Sequence, residues 1–263
     1  MALDMRNAQV SVLLNAPLGI LMVVRSLEEA RREGYRVLSA ERLSELAVEC
    51  GLELSPYFPD YQERARSLLA RAPSLQREAE QLLAIPGTAD WFADLDRGRQ
   101  VWISPDGRPP LGPSGFHPDL RPFGSDVAKP LATLWTSTSA GRCPSGWISY
   151  LRYGGEQRPP PYHPWRLAVD AAAQVYEIHG PEAWQALCLD YPKCTLDGAV
   201  IPDWEAVAKR WDGVHLSMGG LHTAQGVSRG GPGARTQLAG WDVESTVWLR
   251  WVFEGVDRLP DVE

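Results

Sequence analysis

The 263-residue sequence contains only three lysines, against 23 arginines, and only four cysteines, no two of which form a CxxC pair. No histidine stands at zinc-ligand spacing from Cys50, Cys143, Cys188 or Cys194, so no metal is expected and the cysteines read as isolated thiols. Long apolar runs are also missing. The most apolar early stretch, residues 18–24, is far shorter than the roughly 20 residues that cross a bilayer, and no small-residue cleavage site follows it. The expectation is a cytoplasmic protein with no membrane partner. No GxGxxG follows a strand and opens a helix, Gly230-Gly231-Pro232-Gly233 lacks the Lys-Ser/Thr of a P-loop, and there is no GxSxG elbow. Ordinary nucleotide cradles and hydrolase triads are thereby excluded.

What is present describes a globular chain. Hydrophobic residues make up 44% and charged residues 22%, near globular averages, and the length suits one large domain or two small ones. The net charge of −7 exerts no global pull toward phosphate backbones, although the arginines supply planar forks suited to phosphate or carboxylate.

From Pro17 to Ile85 the pattern is mainly helical. A first helix runs through the charged residues 28–33 and stops at Gly34, a natural position for a left-handed cap. Ser39 caps the next, in which Leu43, Leu46, Ala47 and Cys50 form one apolar stripe ending at Gly51. Asp60 with Glu63 reads as a capping box for a helix to about Ala70, ended by Pro73. Ser74 then caps a short helix with Leu75, Ala79, Leu82 and Leu83 inward, stopped by Pro86-Gly87.

Beyond residue 90 the texture becomes aromatic and rich in Pro and Gly, and ten of the eleven tryptophans lie past residue 100. Strands are expected at 100–104, 131–137, 166–169, 174–179, 213–217 and 243–252, with helices at Pro181–Asp190 and 204–211. Residues 105–113, 158–164 and 219–233 read as loops. The organisation is therefore α+β: a helical lobe over 1–90 and a tryptophan-rich domain over 91–263.

The last strand carries the clearest chemical signal. Alternation places Val243, Ser245, Val247, Leu249 and Trp251 on a core face, and Glu244, Thr246, Trp248 and Arg250 on a face suited to a cleft. A carboxylate there requires a partner or a chemical task. Residues 135–139, Trp-Thr-Ser-Thr-Ser, end another strand in a cluster of hydroxyls that can fix a carboxylate or a ribose.

On these residues the chain resembles a known family. Ser137-Thr138-Ser139 is similar to the STS motif of the Arg-Ser-Glu class of ADP-ribosyltransferases, and Asp242-Val243-Glu244 is similar to its later Glu-x-Glu or Gln-x-Glu strand motif, with Asp at the first position. The resemblance covers residues 100–263. It implies a split mixed sheet binding NAD in a central cleft, Glu244 and Ser137 as catalytic residues, and Thr138 and Ser139 at the cofactor. Glu244 would bond the ribose 2′-hydroxyl, Ser137 or Ser139 would hold Glu244, and Trp135 or another aromatic would stack on nicotinamide. An arginine would clamp the pyrophosphate, with Arg121 the first choice and Arg99 the second, whereas His117 would point to the His-Tyr-Glu class. The acceptor would be a macromolecule, protein or nucleic acid, and the helical lobe would serve as a lid, acceptor platform or partner-binding surface.

Two other readings compete. Trp and Arg side chains stacking single-stranded nucleic acid would make a binding module without catalysis. Tryptophans used only as packing would make a structural protein. His179 and His215 read as satisfied sheet histidines, and His222 and Arg229 as residues of a solvated loop, with contact to an acceptor the alternative.

Overall fold

The computed structural model describes residues 2–34, 38–122, 128–139, 145–153, 158–195, 198–231 and 234–263. It has an α+β fold in which N-terminal helices precede a mixed sheet. Five helices lead: α1 (Ala2–Leu14), α2 (Pro17–Arg32), α3 (Ala40–Glu53), α4 (Tyr61–Arg71) and α5 (Gln76–Leu82). The apolar run 18–24 forms the first half of α2 and is buried on every side, because α1, α3, α4, α5 and a later helix, α9 (Met218–Ala224), surround it. Pro17 opens that helix, where its missing N–H costs nothing. Ser39 caps α3 as expected, accepting from the Arg42 N–H at 3.2 Å. No single helix among the described residues is long and apolar enough to cross a membrane.

Seven strands form the main sheet: β1 (Gln100–Ser104), β2 (Leu134–Thr138), β3 (His163–Val169), β4 (Val175–Ile178), β5 (Gly213–Leu216), β6 (Ser245–Trp248) and β7 (Phe253–Arg258). Their spatial order is β7-β3-β1-β2-β6-β5-β4, antiparallel throughout except for the parallel pair β4–β5. The middle of the sheet is a narrow joint. Strands β1 and β3 pair along five residues, yet β1 meets β2 only at Gln100↔Thr138 and Val101↔Ser137. The other half of β2 pairs with β6 at Thr136↔Thr246, Val247↔Trp135 and Trp248↔Leu134.

Side-chain alternation divides the core between the two faces of this sheet. One cluster joins the helices to Val214, Leu216, Val247 and Trp241. A second packs Leu134, Leu167, Val169, Trp248 and Phe253, and a third, small one joins Ile148, Leu151 and Tyr162. The first cluster runs unbroken from Val10 to Leu249, so the helical lobe and the tryptophan-rich region share one core.

The expected strand 243–252 is corrected: β6 stops at Trp248, the chain turns, and β7 begins at Phe253. Arg250 in that turn binds Asp212 at 2.8 Å, and Trp251 packs edge-on to Phe253 in the second cluster, on the opposite side from Val247. The face carrying Thr246 and Trp248 is buried rather than open, since that second cluster covers it.

The expected loop 219–233 is also corrected, because it contains α9. Ser217 caps this helix by accepting from the Gly220 N–H at 3.0 Å. Its glycines disguise it, being poor helix formers. Close packing demands them: a Cβ at Gly220 would overlap the Ile178 carbonyl, and one at Gly219 would overlap the Phe92 ring. Helix α6 (Gly146–Arg152), capped by Ser145, is not among the expected elements, whereas α7 (Pro181–Asp190) forms at its expected bounds and α8 (Trp204–Val207) is shorter than the expected 204–211.

Overpacking of this kind costs about 1–3 kcal/mol. Gly220→Ala should therefore lower the unfolding free energy by that amount, seen in equilibrium denaturation as a lower urea midpoint with an unchanged slope.

Candidate active site

The parallel register that sets Glu177 of β4 opposite His215 of β5, and the antiparallel register that sets His215 opposite Thr246 of β6, align polar side chains across the sheet. Glu244, two residues before Thr246, lies on the same face by alternation. Its carboxylate accepts three hydrogen bonds: from the Thr138 N–H to Oε2 at 2.9 Å, from the Thr138 hydroxyl to Oε1 at 2.8 Å, and from His215 Nε2 to Oε1 at 3.1 Å. A carboxylate offers about four acceptor sites, so one on Oε2 is left for a ligand.

The direction of the Thr138 hydroxyl is dictated from a distance. Indole Nε1 of Trp248 can only donate, and it donates to Thr136 Oγ1 at 2.8 Å. Thr136 therefore sends its own proton to Gln100 Oε1, 2.6 Å away, which leaves the Gln100 amide nitrogen to donate to Thr138 Oγ1 at 3.0 Å. Thr138 has one proton remaining, and it goes to Glu244. Gln100 and Thr136 are fully buried, so no water competes for these bonds.

Glu244 lines a cavity of about 470 Å³ together with Thr138, Ser139, His215, Trp91 and Arg99. That volume is in the range of small-molecule sites, about 300–1,000 Å³. Helix α3 supplies a wall through Ala40, Ser44, Ala47 and Val48, so the helical lobe closes the cavity itself. Asp90, Asp94 and Asp96 line the same space. Arg99 Nε donates to Asp96 at 2.6 Å, and its Nη2 lies 3.5 Å from Asp90.

Several expected site residues lie elsewhere. Ser137 points to the opposite face of β2 from Glu244, where its hydroxyl is 2.5 Å from that of Ser145. The hydroxyl that holds Glu244 therefore belongs to Thr138, in place of Ser137 or Ser139. Trp135 shares the face of Ser137 and packs edge-on to Trp241, at 5.0 Å between centroids, outside the cavity lining. Arg121 is exposed and paired with Asp119 on a small hairpin, and His117 is exposed in the preceding segment; neither lines the cavity. Arg99, the second choice for an arginine, does line the cavity. Asp242 faces Lys129 at 3.5 Å, where burial raises its carboxyl against the pull of that lysine. Arg229 pairs with Glu182 on the surface. Cys50 and Cys188 are buried free thiols and Cys194 an exposed one, while Cys143 lies outside the described residues.

Comparison with known protein families, curated proteins and solved structures gives no match. The chemistry must be read from the residues themselves.

Asp94, Glu177 and His179 bring one ligand-type atom each within 4.8 Å of one another. Those atoms are already engaged. His179 meets Asp94 and Ser217 at 3.0 Å each, and Glu177 accepts from the Leu95 N–H at 3.1 Å while meeting His215 at 2.5 Å. The cluster ties the 90–96 segment to β4 and α9.

Two buried histidines have opposite titrations. Burial favours the neutral ring of His215, but hydrogen bonds with Glu177 and Glu244 outweigh it and raise the pKa to about 9. His222, stacked on Trp91 at 5.0 Å, is held down at about 4 by burial, since the nearby Met218 carbonyl lies outside hydrogen-bond geometry. The ordinary histidine value is about 6.5. His215, raised in the folded state, contributes stability in full below 6.5 and loses it as pH rises toward 9. His222, lowered in the folded state, contributes above 6.5 and loses it as pH falls toward 4. From these two groups, stability should fall on both sides of about pH 6.5. Thermal melts across pH should show the alkaline slope reduced in His215→Gln and the acid slope reduced in His222→Phe.

Proposed function

We propose that the protein is a cytoplasmic ADP-ribosyltransferase-like enzyme that cleaves the nicotinamide–ribose bond of NAD and passes ADP-ribose to a macromolecular acceptor, protein or nucleic acid. The observation that carries this reading is Glu244, held by the central residue of the Ser-Thr-Ser segment on a cavity wall that also carries Arg99. Departure of nicotinamide leaves an oxocarbenium-like ribose, and a fixed carboxylate stabilises that charge. Nicotinamide leaves with the bonding electron pair, the acceptor atom bonds to C1′, and the acceptor's proton is released.

The remaining acceptor site on Glu244 Oε2 suits a ribose hydroxyl. Arg99 offers its fork to the pyrophosphate, whose oxygens would replace Asp90 and Asp96 as partners. Trp91 is the aromatic available for nicotinamide. The short two-pair register between β1 and β2 is compatible with the split sheet that the resemblance implies.

The single-strand binding alternative has less support. Stacking requires exposed aromatic faces, and all eleven tryptophans are buried or half-buried. The acidic lining does favour a second reading, in which the same carboxylate cleaves a glycosidic bond in a substrate lacking phosphate. Asp90, Asp94 and Asp96 would repel a polyanion, and among the described lining residues Arg99 is the one arginine facing it. Turnover of nicotinamide riboside in preference to NAD would identify that case.

With NAD at about 1 mM, the upper end of ordinary KM values, nicotinamide release and label transfer should be measurable. Glu244→Gln should reduce both about 100-fold or more while the circular dichroism spectrum stays unchanged. Arg99→Ala should weaken NAD affinity about tenfold or more, whereas Arg121→Ala should leave it unchanged. Absence of both NAD binding and nicotinamide release in the unaltered protein would end this reading.

A further inference from the structure

Glu244 is reached from two sides, and the Thr138 side alone satisfies both of its oxygens. The other side is a bridge through the sheet. His215, 3% exposed, has Nε2 at 3.1 Å from Glu244 Oε1 and Nδ1 at 2.5 Å from Glu177 Oε2. An imidazole placed between two carboxylates can donate to both only with a proton on each nitrogen. A neutral ring presents a lone pair to one of them, so that carboxylate loses its donor and faces electron density within the bridge.

We propose that Glu177 and His215 are positioning residues for Glu244, forming a carboxylate–imidazolium–carboxylate bridge that fixes which oxygen Glu244 presents to the ligand. Glu177 is itself fixed. Its second oxygen accepts from the Leu95 N–H at 3.1 Å, so the bridge is anchored to the 90–96 segment that forms another part of the cavity lining.

The groups around the ring account for its charge. Glu177 faces it from β4 and Glu244 from the residue preceding β6, while Thr246 stands beside it in register. From α9 the cavity receives only apolar Met218 and Leu221. Asp94 and His179 lie beyond Glu177, and Asp90, Asp96 and Arg99 face the cavity from the segment before β1. Among the described residues, both hydrogen-bond partners of the ring nitrogens are carboxylates, which is why burial does not drive the ring neutral.

The consequence is an alkaline limit on function. Where the ring loses its second proton, Glu244 keeps both Thr138 bonds but loses the charged donor to Oε1, so the carboxylate is held from one side only. This link to activity rests on the proposed cleavage of NAD. The bridge itself does not, and it can be read in the free protein.

The experiment is a pH titration of the full chain labelled with ¹³C,¹⁵N-histidine, with the His215 ring assigned by its disappearance in His215→Asn. The unaltered ring should be doubly protonated at neutral pH and titrate near 9. Glu177→Gln should lower that midpoint by about one pH unit or more, the usual effect of removing an adjacent opposite charge. If Glu177→Gln does not fold, Glu244→Gln removes the other carboxylate and should lower the same midpoint. A ring already neutral at neutral pH, or a midpoint that neither substitution moves, overturns the bridge.

In NAD cleavage, Glu177→Gln should move the alkaline limb of the kcat profile downward together with the ring midpoint, while kcat on the acid side changes less than about threefold. A loss of equal size at every pH overturns the positioning role. If no form of the protein cleaves NAD, the proposed function fails, while the ring titration still decides the bridge.

Discussion

Glu244 is held by a chain of hydrogen bonds whose direction is fixed at both ends, by an indole that can only donate and a carboxylate that can only accept. Between Trp248 and Glu244 lie Thr136, Gln100 and Thr138, each passing on one proton, so none of the hydroxyls or amides is free to turn. The chain also crosses the joint where β1 meets β2, so the same bonds that orient the carboxylate tie the two parts of the sheet together. A polar row of this kind survives in an apolar core only when fully paired. The second core cluster, which includes Trp248, covers the face on which this row lies.

Much of the fold was legible in the sequence because its signals are local. Ser39, Gly34 and the stripe from Leu43 to Cys50 marked helices correctly, and alternation placed Glu244, Thr246 and Trp248 on one face. The misreadings share a cause: they depend on what an element packs against. Helix α9 looked like a loop because Gly219 and Gly220 weaken helix propensity, and only the neighbouring Phe92 and Ile178 explain their presence. Residues 243–252 looked like one strand because nothing in their composition marks the turn after Trp248.

The site was legible to the same extent. Glu244 and the Ser-Thr-Ser segment could be paired on paper, but strand alternation assigns the contact to Thr138 and turns Ser137 and Trp135 away. Arg99 was visible as the residue before β1, yet its place in the cavity depends on strand pairing. Its backbone carbonyl accepts from the Ser139 N–H at 2.9 Å, which extends the β1–β2 ladder beyond the strand ends. Glu177 was missed entirely. Its role depends on a parallel register with His215, across 38 residues of intervening chain, that no periodicity encodes.

The narrow pairing of β1 with β2 also sets the geometry of the cavity. Arg99 stands at the start of β1 and Glu244 at the start of β6, on opposite sides of Thr138. Cation and carboxylate are thus carried by different parts of a sheet that two residue pairs hold together. The gap between them is a property of backbone pairing more than of either side chain, and the second core cluster, with Leu134 and Trp248 on one side of that joint and Leu167 and Val169 on the other, is what resists a rotation that would widen or narrow it.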